Sequence, residues 1–329
     1  MNTFDLDIVA VRGATVESRH RVHAAVVDHT AAVRASARDS GIVTFWRSCA
    51  KPFQVMPWVA SGGHDALGWA DDELALACAS HGGEPEHVAV AKKMLADAGL
   101  DEGDLACGLH EPLSRRGARM AGQSGGRISR LHNNCSGKHA AMLAFARHSK
   151  WPLLGYEKHD HPVQRAALSS VAEWTGLDEQ RIPQAVDGCA VVTFALPLNA
   201  MALAFARLGR ASRNGDEIPT RIVASIVARP FLIGGTDRFD TVLLEESKGS
   251  IIAKVGAEGV HCVSIPDESI GFAVKAEDGA TRAQHSAVLR LLQHLGYLPG
   301  DLGSRLACFL RAPVLNTRGE EVGSVAPAN

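Results

Sequence analysis

The sequence has no long apolar run, no block of basic residues and little net charge. Its longest apolar stretches, such as 196–206, are too short to cross a bilayer, because a transmembrane helix needs about 20 residues. The 34 Lys and Arg nearly balance the 36 Asp and Glu, and the formal net charge is −2. Because no basic patch or excess charge is present, we expect no nucleic-acid or membrane partner.

The first residues also lack the positively charged segment and long apolar stretch of a secretory signal. The seven cysteines are odd in number and widely spaced, which is not typical of a disulfide framework. We therefore expect reduced thiols and a cytoplasmic protein.

The order of the predicted elements indicates the fold class. Strand patterns cluster in 1–50 and 240–329, whereas 51–239 is mainly helical. No repeat, low-complexity tract or linker interrupts the chain, so we expect a single domain over 1–329. This pattern predicts an α/β (α+β) fold in which the terminal strands form one largely antiparallel sheet packed against helices.

The individual elements follow from apolar periodicity and turn residues. Predicted strands are Leu6–Val11, Val22–Val27, Ala31–Ala37, Ile42–Trp46, Ser250–Lys254, Val260–Ile265 and Ile270–Lys275, the second and third forming a hairpin around Asp28 and His29. Predicted helices are an Ala/Leu segment from about Asp71, Glu84–Leu100, Ser136–Arg147, Pro162–Thr175, Asn199–Leu208, Pro219–Ala228 and Ala280–Leu295. The Gly- and Arg-rich stretch Gly108–Arg130 predicts a long loop.

A serine three residues before a lysine is the first candidate site. Ser48 and Lys51 would be neighbours on a helical turn, with apolar residues around them to lower the pKa of the amine. A neutral lysine can activate a serine hydroxyl as a nucleophile, and S-x-x-K is the nucleophile motif of class A β-lactamases and penicillin-binding proteins. The alternative is a helix cap by Ser48 with a solvated Lys51.

A second candidate is the small-residue turn "ASHGGEP" over 79–85. Glycines let a backbone approach a ligand closely, and the following helix start exposes amide donors. Ser80 could attack or donate, His81 could relay a proton, and Glu84 could hold an amino group. The same residues also suit an ordinary turn between helices, since Pro85 favours the first helical position.

The stretch "LHNNCSGKH" over 131–139 carries an unusual density of polar groups just before an apolar helix. Cys135 and Lys138 would share one face, and Cys189 in Asp187-Gly188-Cys189 is the obvious partner for a metal. By spacing alone this is a poor metal signature, and capping by Asn134 or Ser136 explains the stretch equally well.

Late in the chain, two lysines end predicted strands. Lys254 precedes Val255-Gly256, which is similar to the K-T-G element of the β-lactamase-type enzymes, although valine replaces the usual hydroxyl residue. Lys275 is the rival position, and either lysine could simply be solvated.

The occurrence of all these stretches in this order indicates a protein family more specifically than any single stretch does. Together they resemble the L-asparaginase II family of the rhizobial type, over about residues 5–325. The stretches are "WRSCAKPFQ", "CASHGGEPEH", "HNNCSGKHAAML", "VDGCAVVTFALPL", "KVGAEGV" and "GFAVKAEDG".

The resemblance implies a serine β-lactamase- and glutaminase-like fold and the hydrolysis of L-asparagine to L-aspartate and ammonia. It also implies a homodimer. It further implies two serine–lysine pairs, Ser48 with Lys51 and Ser80 with Lys254, and zinc (Zn²⁺) held by three side chains. The implied zinc ligands are Cys135, Lys138 and Cys189. Because metal ligands are commonly oriented by neighbouring polar groups, we expect Asp187 and His139 to orient them.

We expect acyl transfer in which Lys51 deprotonates Ser48, while Ser80 and Lys254 assist proton transfer. Ser80 as nucleophile and Ser48 as relay is the alternative. Backbone amides near Ser48 and Gly82-Gly83 are the expected oxyanion donors. We expect zinc to hold the substrate's carboxylate or amino group, or to tune the pocket, rather than to deliver hydroxide. The expected substrate-binding residues are Arg47, His81, Gly82, Glu84, Asn134 and Asp187.

Three rival functions share part of this chemistry. A glutaminase or broader serine amidase differs only in pocket length, and a β-lactam-directed hydrolase shares S-x-x-K but should lack "HNNCSGKH". A non-catalytic asparagine sensor would not need both serines and both lysines.

Overall fold

The structure is a computed structural model that describes residues 2–123 and 127–328. The strands in these ranges are β1 (Asn2–Thr3), β2 (Ile8–Arg12), β3 (Thr15–His20), β4 (Val22–Asp28), β5 (Val33–Ala37), β6 (Val43–Phe45), β7 (Gln184–Val186), β8 (Val192–Pro197), β9 (Ile252–Val255), β10 (Val260–Ile265), β11 (Ile270–Ala276), β12 (Ala312–Leu315) and β13 (Glu321–Pro327). The helices are α1 (Lys51–Ala60), α2 (Gly63–Ala66), α3 (Asp71–Cys78), α4 (Pro85–Asp97), α5 (Arg115–Gln123), α6 (Ser136–His148), α7 (Pro162–Thr175), α8 (Leu198–Asn214), α9 (Glu217–Ala228), α10 (Pro230–Ile233), α11 (Phe239–Ser247), α12 (Thr281–His294) and α13 (Ser304–Leu310).

The strands form three sheets. The largest has the order β1-β5-β4-β11-β10-β9 and is antiparallel except for the β1–β5 pair. A second sheet has the order β12-β13-β2-β3, and a third the order β6-β8-β7. The predicted α/β class, with antiparallel pairing between the two ends of the chain, is confirmed.

The prediction of one sheet from the terminal segments is wrong, because those segments build two sheets. Only Arg21 separates β3 from β4, and the chain changes sheet at this corner. The strand β2 pairs with β13, while β4 pairs with β11. The middle region also contributes β7 and β8 to the third sheet.

The central strands of the large sheet are covered on both faces. On β4, Ala25 and Val27 belong to the apolar cluster that contains α8, whereas Ala24 and Val26 belong to the cluster that contains α12. This alternation follows from the two-residue period of a strand. The backbone of α8 lies so close to β11 that a Cβ on Gly271 would be 2.2 Å from the Ala202 carbonyl oxygen.

The predicted hairpin is present, with Ala24 opposite Ala37. Its turn is held by the Asp28 carboxylate, which accepts from the amides of Thr30 (2.8 Å) and Ala32 (3.2 Å). The predicted loop over 108–130 is wrong in part, because Arg115–Gln123 forms α5; residues 124–126 of that prediction lie outside the described residues. Within the described ranges, no helix combines the length and apolar character needed to span a membrane.

Candidate active site

A cavity of about 450 Å³ lies where segments from distant parts of the chain meet. It is bordered by the turn before α1, the end of α3, the start of α6, the β7–β8 turn and the end of β9. Its wall contains seven of the residues predicted from the sequence: Arg47, Ser48, Ser80, Asn134, Cys135, Asp187 and Cys189.

Two buried lysines converge on one serine at this cavity. The Oγ of Ser80 lies 2.8 Å from Lys254 Nζ and 3.2 Å from Lys51 Nζ. The two lysines are 1% and 0% exposed, and Ser80 is 3% exposed. The fold therefore joins α1, the end of α3 and β9 through a Lys51–Ser80–Lys254 chain, which we call the lysine–serine chain.

The contact of Lys51 differs from the one that the S-x-x-K spacing predicts. Its Nζ donates to the carbonyl oxygens of Ala79 and Asn134 as well as to Ser80. Among the described residues, no hydrogen bond joins it to Ser48. The first residue of α1 is Lys51, whereas Ser48 belongs to the preceding 3₁₀ turn, so the two do not share regular α-helical geometry.

Ser48 is the less constrained of the two serines. It is half-buried on the cavity wall, and its Oγ has no hydrogen-bond partner among the described residues. The preceding residue, Arg47, has φ +52°, which is unusual for a residue with a side chain. Such strained backbone often accompanies functional sites, and here it orients the turn that carries Ser48.

Burial changes the acid–base character of Lys254. Desolvation is the main cause, and together with the nearby Lys51 charge it outweighs the attraction of Asp240 and lowers the pKa of Lys254 from 10.5 to about 8. A lysine with this pKa is partly neutral near pH 7, which allows it to accept a proton.

The structure distinguishes the two candidate distal lysines by their contacts. Lys275 Nζ donates to the carbonyl oxygens of Glu258 (2.7 Å) and Ala276, and it does not line the cavity. It thus supplies hydrogen bonds to backbone carbonyl groups at the end of β11 and in the turn between β9 and β10. Only Lys254, of these two, contacts Ser80.

Arg47 and Asp187 form an ion pair on the cavity wall. The Nε of Arg47 donates to Asp187 Oδ1 at 2.7 Å, and this oxygen also accepts from the Gly188 amide at 2.8 Å. Although burial opposes ionisation, the charges of Lys138 and Arg47 keep the pKa of Asp187 below its usual value. The pair therefore stays ionised and faces the cavity together with Asn134.

The expected substrate contacts of the "ASHGGEP" turn do not appear at the cavity wall. His81 is fully buried, its Nε2 donating to Ser136 Oγ (2.9 Å) and its Nδ1 accepting from the Gly83 amide (3.2 Å). The Gly83 amide, one of the expected oxyanion donors, is therefore already hydrogen-bonded to His81. A Cβ on Gly82 would meet the Ser114 side chain at 2.7 Å, so this glycine serves packing.

Glu84, the third of these residues, is held by α5 and the chain after α10. Its carboxylate accepts from Arg116 Nη1 (2.5 Å), from the Thr236 amide (2.7 Å) and from the Thr236 hydroxyl (2.8 Å). The buried carboxylate thus ties three segments together, and the structure gives it no contact with the cavity.

The three predicted zinc ligands do meet. Lys138 Nζ lies 3.1 Å from Cys189 Sγ, and the thiols of Cys135 and Cys189 are hydrogen-bonded. The hydrogen bond from Cys135, together with the Lys138 charge, lowers the pKa of Cys189 to about 4. Both cysteines line the cavity.

Two sulfurs and an amine at one point are chemically suitable donors for Zn²⁺, provided that Lys138 loses its proton. No group of three His, Cys, Asp or Glu side chains within 2–123 and 127–328 is arranged to hold a metal. The zinc prediction thus depends on Lys138 as the third donor. Near it, His139 Nδ1 is 2.6 Å from the Tyr156 hydroxyl.

Sequence reasoning missed a further charged residue at this site, Arg238. It lines the cavity just before α11 and also lines a smaller cavity of about 120 Å³ that shares Ser80 and Val255. Its surroundings in the sequence, "GGTDRFD", match no motif that would have indicated a functional residue.

Comparison with known protein families identifies the chain. The profile of the L-asparaginase II family matches residues 8–327. No curated protein has significant sequence similarity to the chain.

Among solved structures, Mglu in its native form is 15% identical with a TM-score of 0.47, covering 86% of this chain and 66% of that one. Mglu in its glutamate form is 16% identical with a TM-score of 0.38, covering 86% and 63%. This chain therefore spans about two thirds of the Mglu chain. A β-lactamase from Mycobacterium bovis is 12% identical with a TM-score of 0.35, covering 83% and 94%. Because the family profile matches nearly the whole chain, the protein belongs to the L-asparaginase II family.

Proposed function

We propose that the protein is an L-asparaginase that hydrolyses the side-chain amide of L-asparagine through a serine activated by lysine. The observation that carries the proposal is the lysine–serine chain, in which Ser80 contacts both Lys51 and Lys254 beside a cavity that also contains Ser48. Family membership supports the amide substrate.

Ser48 is the better nucleophile of the two serines. The Ser80 oxygen lies within hydrogen-bond distance of both lysine amines, and its hydroxyl can donate to Lys254 when that amine is neutral. A hydroxyl held in this way is well placed to pass a proton but poorly placed to attack carbon. The Oγ of Ser48 is free of such contacts among the described residues, and it faces the same cavity.

In the proposed reaction, Ser48 Oγ forms a bond to the amide carbon and its proton enters the lysine–serine chain, with neutral Lys254 as the acceptor. The carbon–nitrogen bond then breaks, and the leaving nitrogen takes a proton back from this chain as ammonia departs. Water then adds to the acyl-enzyme carbon and gives one proton to the lysine–serine chain; the bond to Ser48 breaks, and the Ser48 oxygen takes that proton back, which restores its hydroxyl. Hydrogen bonds of this kind often tighten only with substrate present, so the absent Ser48–Lys51 contact does not oppose the scheme.

The zinc prediction becomes part of this proposal. Cys135, Lys138 and Cys189 would hold the ion, which when bound would supply a Lewis acid at the cavity wall. Asp187 connects this cluster to Arg47, because the Lys138 charge acts on its carboxylate and that carboxylate accepts a hydrogen bond from Arg47.

The test is ammonia release from L-asparagine by the purified protein and its Ser48→Ala variant. We expect turnover by the wild-type protein and a loss of roughly 10³-fold or more in Ser48→Ala, as for other enzymes that lose a nucleophile. Ser169→Ala, which changes an exposed serine on α7, is the matched control and should keep full activity. Near-normal ammonia release by Ser48→Ala, with the fold intact by circular dichroism, would reject Ser48 as the nucleophile.

A glutaminase or broader amidase would use the same residues, so the assay is repeated with L-glutamine. Faster turnover of glutamine than of asparagine would replace the proposed substrate while keeping the mechanism. Hydrolysis of nitrocefin without ammonia release would instead support a β-lactam-directed enzyme, and binding of asparagine without turnover would support a sensor.

A further inference from the structure

One charged residue on the wall of the larger cavity has no ion-pair partner among the described residues. Arg47 and Asp187 neutralise each other at 2.7 Å. Arg238 also lines this wall, and within the described residues no hydrogen bond or ion pair engages its guanidinium group. An arginine remains charged in proteins, so the cavity carries an uncompensated positive charge at this point.

The charges of two carboxylates, Asp240 and Glu84, act on Arg238, but both carboxylates bind other partners. Asp240 accepts from the Val255 amide at 2.8 Å and lies 3.1 Å from His261 Nε2. Glu84 is bound by Arg116 and Thr236. Neither contacts Arg238 directly.

Arg238 is half-buried, and this partial withdrawal from water makes its isolated guanidinium costly. Desolvation is the main influence on Arg238 and lowers its pKa from the usual value. A charged group withdrawn from water without a partner is unfavourable, and an anionic ligand would remove that penalty. A planar guanidinium with several donors matches the geometry of a carboxylate.

The backbone holds Arg238 close to the reacting centre. The Ser80 amide donates to the Ile233 carbonyl at 3.1 Å, and the Arg238 amide donates to the Gly235 carbonyl at 3.3 Å. The short segment 233–238 thus ties the residue to the lysine–serine chain. Both Ser80 and Arg238 line both cavities.

We propose that Arg238 binds the α-carboxylate of the substrate and so makes the enzyme prefer amides of α-amino dicarboxylic acids over simple amides. This inference rests on the proposed function, because it assigns the substrate group next to the amide that reacts. The carboxylate would enter from the larger cavity, since the smaller one is lined by Asp237 and Asp240, whose charges would repel it.

The experiment compares L-asparagine with β-alaninamide, which is the same molecule without the α-carboxylate. For each protein, kcat/KM is measured on both amides and their ratio is the discrimination factor. In Arg238→Met we expect this factor to fall about 10- to 100-fold, mainly through a higher KM for asparagine, because a charge-assisted contact is lost. Arg238→Lys should restore part of it.

Arg210→Met, on an exposed position of α8, is the matched control and should leave the factor unchanged. Zinc content is measured in each variant, so that a change in metal loading is not mistaken for the loss of a carboxylate contact. An unchanged discrimination factor in Arg238→Met would overturn the inference while leaving the asparaginase proposal intact.

A binding measurement makes the inference testable even without turnover. L-Aspartate and β-alanine differ by the same α-carboxylate, and calorimetry gives both dissociation constants. We expect wild-type protein to prefer L-aspartate and Arg238→Met to lose that preference. If asparagine is not hydrolysed but this pattern holds, the proposed function fails and the carboxylate site stands. If wild-type protein and Arg238→Met prefer L-aspartate over β-alanine to the same extent, the site is refuted.

Discussion

The burial of Lys254 makes a quantitative prediction about pH. With a pKa of about 8, roughly 9% of this lysine is neutral at pH 7, against roughly 0.03% for a lysine at 10.5. Burial therefore raises the concentration of the proton acceptor about 300-fold at neutral pH. We expect kcat/KM for L-asparagine to rise about tenfold between pH 6 and 7 and to level off above about pH 9.

The charge of Asp240 provides a directed perturbation of this profile. Asp240 raises the pKa of Lys254, so Asp240→Asn should move the inflection to lower pH while keeping a side chain of the same shape. Asp267→Asn, which alters an exposed carboxylate paired with Arg213, should leave the inflection where it is. The assay is ammonia release at low substrate concentration from pH 5.5 to 9.5.

The same pKa shift has a consequence for stability. Between pH 8 and 10.5 the unfolded chain holds a proton on this lysine that the folded chain has released, so stability rises with pH in that window. Below pH 8 the buried lysine is protonated and destabilises the folded state by its full desolvation penalty, which for a pKa lowered from 10.5 to about 8 is about 3 kcal/mol. Lys254→Met should therefore lose activity without losing stability at pH 7. For activity, three results would refute the reasoning: a kcat/KM that does not change with pH, an inflection near pH 10, or an inflection that moves to higher pH in Asp240→Asn.

Three further predictions concern the metal cluster, a helix contact and the second lysine. Cys189→Ser should lower the zinc content measured by elemental analysis and weaken asparagine binding, and unchanged zinc would reject the site. Gly137→Ala should destabilise the protein by about 1–3 kcal/mol in urea unfolding, because its Cβ would lie 2.4 Å from the Leu76 carbonyl. Gly122→Ala, a helical glycine with nothing within 4 Å, should be neutral or stabilising, and equal effects would contradict the packing argument. Lys275→Met should keep the pH inflection near 8 and lose stability instead; a lost inflection would move the catalytic role to Lys275.

Elements with a strong periodic pattern and clear end signals could be predicted from the sequence. The helix Pro162–Thr175 has proline at its first position and Gly176 after its last, and the strand Val260–Ile265 has turn residues at its N-terminal end and a proline just after it. The structure has both with the predicted bounds.

Elements without such a pattern were missed for identifiable reasons. β3, "TVESRH", is a largely exposed strand with no apolar face, and α5, "RRGARMAGQ", contains two glycines. β8 lies in a continuous apolar run, whose periodicity does not distinguish a strand from a buried helix.

The site was predictable in composition but not in its contacts. The resemblance to one family predicted that Ser48, Ser80, Cys135 and Cys189 belong to one site, and these residues line one cavity. The hydrogen bond of Lys51 to Ser80 could not be read from spacing, because it depends on how α1 packs against the end of α3. Arg238 follows from no local pattern, since its significance depends on charges brought close only by folding.

The most direct test of the central claim is ammonia release from L-asparagine by wild-type protein and by Ser80→Ala, with both proteins checked for an unchanged fold. The proposed mechanism predicts one ammonia for each L-aspartate formed by the wild type and a loss of at least about 100-fold when the proton path through Ser80 is removed. No ammonia from the wild-type protein, or an undiminished rate in Ser80→Ala, would contradict it.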